Sequence, residues 1–552
     1  MIQLIADHII TPLGEGTENN LNAVLRGESC LRLHNEVHDE PVPEPFVGSL
    51  FEHLPQRQGF TPFESLCIAV AEPAIKQAAI DVSAADCIFI LSTTKGNIWT
   101  SPADSARKIA TFFGNNSTPV VVSTACTSGV TAQLTAYRLL SRSKYKTAVI
   151  IGCDVQTLFV VSGFQSFKAL SPNPCKPFDA ERDGLNAGEA AAVMILQQTD
   201  SPFSASAEHS FSASAVHPWT LLGGSVHNDA NHISGPSRTA EGSMRCLNDA
   251  CELLLPDNLA CISVHGTGTL YNDEMEALAI HRAGLEDVPV SGLKGIYGHA
   301  MGAAGLMETI LTIHALNRGI ILPTVGFSKQ GTTYAVNLSA KPRTTEKHAF
   351  IKLLSGFGGV NAAVAWSRET VSEQSATTTL DNSCSIRIVN EIHISQQDDI
   401  NNLYRSLGVN YPKFFKMDSL CRLGFVATEL LLKECGDEID AENTALILAN
   451  HSASIQNDTA YQATIADPQS FFPSPALFVY TLPNIVAGEL AIRHHLFGET
   501  SFYILEKETD LQPIIDATIC SPDINSAIVG WLECTDKTHY EAHLKFVSKT
   551  ND

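Results

Sequence analysis

Several features that mark membrane, metal-binding or nucleic-acid-binding proteins are missing from this sequence. It has no uninterrupted apolar stretch of about 18 residues, so no segment is expected to span a membrane. Basic residues are in the minority, with 36 Lys and Arg against 59 Asp and Glu, and the net charge of −23 argues against broad binding to nucleic acid or anionic membranes. It also lacks CxxC pairs and long low-complexity tracts.

The 14 cysteines are scattered without a repeating spacing, a pattern typical of buried free thiols in a reducing compartment. The opening residues MIQLIADHII are apolar, but Asp7 and His8 interrupt them and no basic segment comes before. This predicts a buried first strand rather than a signal peptide. We therefore expect a cytoplasmic protein.

With 552 residues the chain is too long for one hydrophobic core, so two or more domains are expected. Short β-branched runs alternate with helical periodicity over the first 366 residues, which predicts an α/β fold with a largely parallel sheet between helices. The predicted elements are strands at 86–92, 118–123 and 147–154, helices at 127–142 and 305–319, and a two-stranded glycine turn unit at 348–367.

Residues 368–384 are polar and rich in Ser and Thr, which indicates a linker. The chain beyond this linker echoes part of the first domain. AADCIFILSTTKGN (84–97) resembles ENTALILANHSASI (442–455), and KTAVIIGCD (146–154) resembles NSAIVGWLEC (525–534), where the second copy is expected to stop. An unrelated α/β domain remains the alternative.

Cys126 lies in VVSTACTSGV (121–130), where an apolar run meets small residues and then a predicted helix. A helix N-terminus has free N–H groups and a dipole that favour an anion, which would ease formation of the thiolate nucleophile. The same N–H groups can hydrogen-bond an oxyanion. Gly129 would leave room for substrate. Cys126 is a candidate nucleophile, and a small buried core residue is the alternative.

A first histidine stretch, VHGTGTLYNDEMEA (264–277), places His265 at the end of an apolar run. Such a histidine can point into a cleft, and the hydroxyls of Thr267 and Thr269 can meet a polar ligand. Taken alone, a single histidine is more often structural than catalytic.

A second stretch, GLKGIYGHAMGAAGLME (292–308), contains Lys294 and His299 before a helix start rich in Gly and Ala. The small residues permit close backbone packing. A tightly packed helix start or a phosphate cradle are the alternatives, although the Lys-Ser/Thr ending of a P-loop is absent.

Together these stretches resemble the elongating β-ketoacyl-acyl-carrier-protein synthases of the thiolase-like superfamily. The motifs follow the family's order, and CKPFDAERDGLNAGEAA (175–191) and SGFGGVN (355–361) extend the likeness over residues 1–366. Two histidines, rather than His and Asn, are typical of the elongating branch. The resemblance implies a layered αβαβα fold at 1–367, with a smaller α/β half-domain at 385–552 that resembles a synthase N-terminal half.

The resemblance also implies a decarboxylative Claisen condensation that extends a fatty-acid or polyketide chain. Cys126 would take an acyl group from the phosphopantetheine thioester of an acyl carrier protein. His265 and His299 would then stabilise the enolate formed from a malonyl thioester. The other implied roles are Lys294 beside the catalytic site with Glu308 supporting it, the amides of Cys126 and Phe357 as oxyanion hole, Thr267 and Thr269 at the pantetheine arm, and Phe164 and Phe357 at the acyl pocket. We expect no metal and no organic cofactor.

The sequence departs from the family in one segment. Only seven residues separate STTKGN (92–97) from SARKIATFFG (105–114), where family members have a longer insertion that forms dimer interface and pocket floor. The second half has the longer version, at 449–495, but reads Glu-Thr-Asp near 508–510, where a nucleophile would stand. We hypothesise that its aromatic stretch FFPSPALFVYTLPN caps the acyl pocket or mimics a dimer partner.

The same resemblance implies partners and leaves two rival functions open. The expected partners are an acyl carrier protein and a second synthase-like subunit, in a homodimer or heterodimer, since TPVVVS resembles the strand that the family pairs across its dimer axis. One rival is a thiolase or chain-initiating synthase. The other is a non-catalytic scaffold similar to a chain-length factor, which needs an active partner.

Overall fold

The structure is a computed structural model, and it describes residues 1–199, 218–255, 257–368, 384–433, 435 and 439–550. The predicted linker, 368–384, lies outside the described residues except for its first and last positions. The fold is mixed α/β, and all the elements predicted for the first half are present within one or two residues of the expected bounds, apart from a shorter second strand.

The strands in chain order are β1 Ile2–Thr11, β2 Gly14–Glu15, β3 Arg32–Val37, β4 Glu40–Ser49, β5 Cys87–Ser92, β6 Val120–Val122, β7 Thr147–Asp154, β8 Ala187–Gly188, β9 Ala190–Gln198, β10 Thr220–Asn228, β11 Leu259–Ser263, β12 Val290–Ser291, β13 Ile320–Ile321, β14 Arg343–Thr344, β15 Ala349–Gly356, β16 Val360–Ser367, β17 Ser385–Ile394, β18 Thr444–Asn450, β19 Thr500–Ile504, β20 Ser526–Cys534 and β21 Tyr540–Thr550.

The α-helices are α1 Thr17–Leu25, α2 Pro62–Ala78, α3 Pro102–Phe112, α4 Ser128–Arg142, α5 Leu158–Ser166, α6 Glu241–Glu252, α7 Leu270–Arg282, α8 Lys294–Tyr297, α9 Ala304–Asn317, α10 Ile400–Leu407, α11 Ser419–Leu432, α12 Ile455–Gln462, α13 Pro475–Val479, α14 Ile485–His494 and α15 Gln512–Ile519.

The first half has five layers. Strands β6-β5-β7-β9-β1 form one sheet layer and β10-β16-β15-β11-β12 another, joined along one hydrogen-bonded path through β1 and β10. Helices α4 and α9 lie between the layers and contact strands of both, while α2 covers the outer face of the first layer and α6 that of the second. The order helix, sheet, helix, sheet, helix is the layered αβαβα fold that was expected.

The sheet is mixed, so the prediction of a largely parallel sheet was wrong. Strand β9 runs antiparallel to both of its neighbours, β1 and β7. The β15–β16 pair is also antiparallel, because a turn of only three residues, Phe357–Gly359, reverses the chain.

The two central helices cross at a glycine pair. A Cβ atom added to Gly129 of α4 would lie 2.9 Å from the Cα atom of Gly305 in α9. A Cβ added to Gly305 would lie 2.6 Å from the backbone nitrogen of Val130. The close packing predicted for the Gly/Ala-rich stretch is confirmed. The prediction that Gly129 leaves room for substrate was wrong, since the backbone of α9 fills that space.

The second half repeats the arrangement of the first sheet layer. Its strand order β19-β18-β20-β21-β17 corresponds to β6-β5-β7-β9-β1, with the same succession of parallel, parallel, antiparallel and antiparallel pairings. Helix α11 packs on β20, β21 and β17 as α2 packs on β7, β9 and β1. The copy does not end at residue 534 as predicted, because β21 continues the sheet.

The two halves share one sheet. Strand β6 pairs antiparallel with β19, with Val122 opposite Tyr503 and Val121 opposite Ile504. This is the TPVVVS strand that was expected to meet a second subunit. Its edge is occupied here by a strand of the same chain.

Cys384 and Cys520 form a disulfide that ties the start of β17 to the end of α15, with their Cα atoms 5.8 Å apart. This differs from the expectation of free thiols throughout, which arose because the spacing of cysteines in sequence does not reveal contacts between distant elements. Cys126 is a free thiol. None of the described helices has the length and apolar character needed to cross a bilayer.

Candidate active site

Cys126 lies in a tight turn between β6 and α4. Residues Ala125–Thr127 form a single 3-10 turn, and Ala125 has a left-handed φ of 52°. This conformation costs a residue with a Cβ atom about 1–2 kcal/mol. The turn places Cys126 directly before the N-terminus of α4, as predicted from the sequence.

His265 and His299 face the thiol from two other elements. His265 follows β11, and His299 lies between α8 and α9. The Sγ atom of Cys126 and a ring nitrogen of each histidine all lie within 4.8 Å of one another, and the two imidazole rings are 5.1 Å apart and nearly perpendicular. The structure thus brings together three residues that are far apart in sequence.

The segment 175–191, which carried part of the resemblance, fixes the position of His299. The backbone N–H of His299 donates to the carbonyl oxygen of Asn186 at 2.7 Å, and the N–H of Gly188 donates to the carbonyl oxygen of His299 at 3.1 Å. Both the N–H and the carbonyl group of His299 are therefore bonded to this segment, which fixes the backbone of the histidine.

The resting thiol is protonated, contrary to the expectation that the helix N-terminus ionises it. Burial raises the pKa of Cys126 to about 12. The charge of Lys294 and the N–H groups of Cys126 and Phe357 act in the opposite direction but do not outweigh burial. An acyl transfer at Cys126 therefore needs a neighbouring group to take the thiol proton.

Both histidines are neutral at ordinary pH. Burial is the main cause that holds the pKa of His265 and of His299 well below 6.5, and the positive charges of Lys294 and Lys352 add to it. A neutral imidazole can accept a proton at one nitrogen and donate a hydrogen bond from the other. The Nδ1 atoms of both rings have no hydrogen-bond partner within the described residues, so these two rings are not committed to structural bonds there.

Two backbone N–H groups lie close enough to the thiol to lower the pKa of Cys126. They belong to Cys126 itself and to Phe357, in the turn between β15 and β16. Gly356 allows this approach, because a Cβ atom at that position would lie 3.3 Å from the backbone nitrogen of Cys126. Two convergent N–H groups can bind the oxyanion of a tetrahedral intermediate.

A buried cluster of three charges lies behind the histidines. Nζ of Lys294 donates to Oε1 of Glu308 at 3.0 Å, which is the pairing expected from the sequence. Sequence reasoning missed the third member, Lys352, which makes a very short contact to the other oxygen of Glu308. A lysine inside the apolar run AFIKLLS was a signal that could have revealed it, since an unpaired buried ammonium is costly.

Glu276 is a second residue that sequence reasoning missed. Its two carboxylate oxygens accept the backbone N–H groups of His265 at 2.6 Å and of Gly266 at 2.8 Å. It stands one helical turn after Asp273 on α7, within the motif that was quoted for His265. That spacing could have marked it as a support for the histidine.

One family model matches the segment that contains Cys126, and another matches the segment that contains His265 and His299. Residues 89–201 match the β-ketoacyl synthase N-terminal domain, and residues 220–328 match the β-ketoacyl synthase C-terminal domain. The chain therefore contains both β-ketoacyl synthase domains, within residues 89–328.

Two curated relatives illustrate the likeness. A putative polyketide β-ketoacyl synthase 1 from Streptomyces cyaneus is 30% identical over 280 residues, which are 48% of this chain and 64% of that protein. A 3-oxoacyl-acyl-carrier-protein synthase 2 from Rhizobium meliloti (strain 1021) is 27% identical over 424 residues, which are 66% of this chain and 97% of that protein. The match to the Streptomyces protein thus spans less than two thirds of its length.

A solved structure shares the fold of both halves. The PfaC keto synthase-chain length factor superposes with a TM-score of 0.74 at 12% identity, over 99% of this chain and 78% of the other. At this identity the likeness concerns the fold alone, but it extends through the second half of the chain.

Thr267 and Thr269 follow His265 at the same end of β11. Their hydroxyl groups lie 2.9 Å apart and hydrogen-bond each other, and Asp273 accepts the N–H of Gly268 between them at 3.2 Å. Thr267 is buried and Thr269 half-buried. Their predicted contact with a pantetheine arm stays a prediction.

An apolar cavity of about 30 Å³ adjoins Cys126, and residues of both halves of the chain line it. The predicted pocket residues Phe164 and Phe357 are among the lining residues. The second half supplies Phe478, Thr481 and Leu482, all from the aromatic stretch that was expected to cap the pocket. The ring of Phe478 lies 5.6 Å from that of Phe164.

Cys126, His265 and His299 form the only group of three His, Cys, Asp or Glu residues in the described parts of the chain whose ligand atoms are close enough to share a metal ion. The ammonium groups of Lys294 and Lys352 lower the pKa of both histidines, so they also oppose a further cation. The expectation of a site without metal or cofactor stays a prediction.

Proposed function

We propose that this protein is a condensing enzyme, which extends an acyl chain held on Cys126 with two carbons from a malonyl thioester. The observation that carries the proposal is the meeting of Cys126, His265 and His299 within 4.8 Å, beside the backbone N–H groups of Cys126 and Phe357 that lower the pKa of the thiol. This set provides a nucleophile, neutral donors and an oxyanion site.

In the first half-reaction, Cys126 attacks the carbonyl carbon of an acyl thioester. The thiol proton passes to a neighbouring neutral imidazole, which the raised pKa of Cys126 makes necessary. The N–H groups of Cys126 and Phe357 bind the oxyanion. The C–S bond to the carrier then breaks, and the departing thiolate takes up the proton, leaving acyl-Cys126.

In the second half-reaction, a malonyl thioester binds with its thioester carbonyl near both histidines. Loss of CO₂ leaves an enolate, and neutral His265 and His299 donate hydrogen bonds to its oxygen. Because negative charge develops there only as CO₂ leaves, preorganised donors lower the barrier. The enolate carbon attacks acyl-Cys126 and the bond to sulfur breaks. The departing Cys126 thiolate takes up a proton from water to restore the thiol, and the β-ketoacyl product leaves on the carrier.

We further propose that residues 385–552 take the place of a partner subunit. The pairing of β6 with β19 and the contribution of Phe478 to the cavity support this. The second half also holds Glu508–Leu511 where the first holds Ala125–Thr127, so it has no nucleophile of its own in that turn. The fold likeness to a keto synthase-chain length factor agrees with such a division.

We propose that an acyl carrier protein delivers the substrates. Its phosphopantetheine arm holds them as thioesters, and no other cofactor takes part. The cavity is much smaller than the roughly 150 Å³ that holds a benzene molecule in a protein core. This favours short acyl groups unless the Phe478 ring moves.

The second candidate is a scaffold that needs an active partner subunit. The observation in its favour is the same small cavity. If Phe478 excluded the acyl chain from the cavity, the protein would be inactive even though Cys126 and both histidines are present. The intact side chains of Cys126, His265 and His299 argue against it.

Intact-mass spectrometry with acyl- and malonyl-loaded carrier protein tests the proposal. Acyl-Cys126 is expected in the wild type and not in Cys126→Ala. His299→Ala is expected to be acylated but to release little CO₂. If no acyl-Cys126 forms with any acyl chain of two to twelve carbons, the result would favour the scaffold.

A further inference from the structure

The turn that carries the Phe357 N–H is contacted by the second half of the chain. Nδ2 of Asn484 donates a hydrogen bond to the carbonyl oxygen of Phe357 at 2.8 Å, and Asn484 is 4% exposed. Gly488, one turn further along α14, packs on the same place, because a Cβ atom there would lie 2.5 Å from the carbonyl oxygen of Gly358. Helix α14 therefore rests directly on this turn.

The peptide unit between Phe357 and Gly358 is held at both ends. Its carbonyl oxygen accepts from Asn484, and its N–H donates to the carbonyl oxygen of Ile233 at 2.7 Å. Because a peptide unit is planar, fixing both ends fixes its orientation and restrains ψ of Phe357. That restraint limits how far the preceding N–H, the one facing Cys126, can turn away.

Asn484 occupies a position from which an Asn side chain ordinarily caps its own helix. It is the N-cap residue of α14, yet its side chain makes no capping hydrogen bond. Such a bond ordinarily stabilises the start of a helix. Its Oδ1 atom has no partner within the described residues, so the amide group is turned wholly toward Phe357.

We propose that Asn484 is a positioning residue for the oxyanion hole, supplied by the second half to the nucleophile of the first. The inference rests on the proposed acyl transfer. It goes beyond pocket capping, since it makes the second half necessary for the rate of the chemical step and not only for the choice of acyl chain.

The experiment compares two reactions of Cys126 in the full-length protein. Acyl transfer from a butyryl-loaded acyl carrier protein passes through an oxyanion. Alkylation by iodoacetamide occurs at a saturated carbon and forms none. Loss of the positioning group should slow the first reaction and spare the second, whereas a collapsed pocket or displaced thiol would slow both.

For Asn484→Leu, which keeps the size of the side chain, we expect the maximal acyl-transfer rate to fall about 10- to 100-fold with KM little changed, somewhat less than the loss of an oxyanion donor itself. Alkylation should stay within about 2-fold. Gly488→Ala should give the same pattern, since its Cβ would push α14 off the turn.

The matched control is Asn390→Ala. Asn390 makes the same kind of bond within the second half, from Nδ2 to the carbonyl oxygen of Leu431 at 2.7 Å, away from the site. It should leave both reactions unchanged. Equal loss of acyl transfer and alkylation in Asn484→Leu, or no loss of either, would overturn the proposal. Failure of the wild type to be acylated would instead overturn the proposed function.

Discussion

Lys95 and Asp458 form a buried ion pair that joins the two halves beside the cavity. Nζ of Lys95 lies 2.6 Å from Oδ1 of Asp458, and the same ammonium donates to the carbonyl oxygen of Thr481 at 2.5 Å. Lys95 comes from the short segment after β5, and Asp458 from α12 in the long segment after β18. The shorter insertion of the first half is thus complemented by the longer one of the second.

Breaking this pair is expected to destabilise the protein. Asp458→Asn leaves the ammonium of Lys95 buried without its counter-charge, which typically costs about 3–5 kcal/mol. Denaturant unfolding should show this loss. The double variant Lys95→Met/Asp458→Leu should recover most of it, because neither charge remains. A single variant as stable as the wild type would show that the pair does not hold the halves together.

Replacing Phe478 should change the acyl chains that load onto Cys126. Its ring fills the space over Gly163, where an added Cβ atom would lie 2.2 Å from Phe478 Cε2. Phe478→Ala is expected to raise the longest chain accepted by two or more carbons, as read by intact mass. Phe472→Ala is the control, because Phe472 belongs to the same stretch but is 83% exposed. Identical chain profiles would contradict the pocket-capping role.

The pH dependence of malonyl decarboxylation should report on Lys352. Its positive charge helps to hold the pKa of His265 and His299 below 6.5. Removing it in Lys352→Met should raise both pKa values, so the histidines become protonated at a higher pH and the acid limb of the rate moves upward. Lys352→Arg keeps the charge and should leave the limb nearly in place. If the acid limb does not shift in Lys352→Met, burial and Lys294 alone are enough to keep the pKa values of both histidines low.

The glycine crossing of α4 and α9 should tolerate no side chain. Gly129→Ala would place a Cβ atom 3.0 Å from the carbonyl oxygen of Gly302 and still closer to Gly305. Overpacking of this kind costs about 1–3 kcal/mol, measurable by unfolding. Gly292→Ala is the control, since its nearest neighbours would be at 3.6 Å, an ordinary contact. Equal stability of the two variants would show that the helices move apart freely.

Local patterns predicted the elements of the first half well. The run CIFILS is apolar throughout and forms the fully buried strand β5, and SGVTAQLTAYRLLSR forms α4. The motifs around Cys126, His265 and His299 named residues that the structure brings together. Each of these patterns is contained in a few consecutive residues, so no knowledge of distant contacts was needed.

Predictions that depended on surroundings were less successful. Cys126 does lie at a helix N-terminus, as predicted, but burial is the main influence on the pKa of its thiol. Burial depends on every element around the thiol. Lys352 and Glu276 escaped notice because their partners, Glu308 and the backbone of His265, lie on other elements. Asn484 ends the quoted stretch FFPSPALFVYTLPN, but only the packing of α14 against the turn at Phe357 singles it out within that stretch.

The sequence by itself determined the secondary structure of the first half through local periodicity, and it singled out the candidate nucleophile and its two histidines through motifs that resemble those of the β-ketoacyl synthases. The tertiary structure decided that β6 pairs with β19, that Phe478 lines the cavity and that α14 packs against the turn at Phe357. These contacts join residues more than 100 positions apart, and their formation depends on sheet register and side-chain packing across the two halves, which no short stretch of sequence encodes.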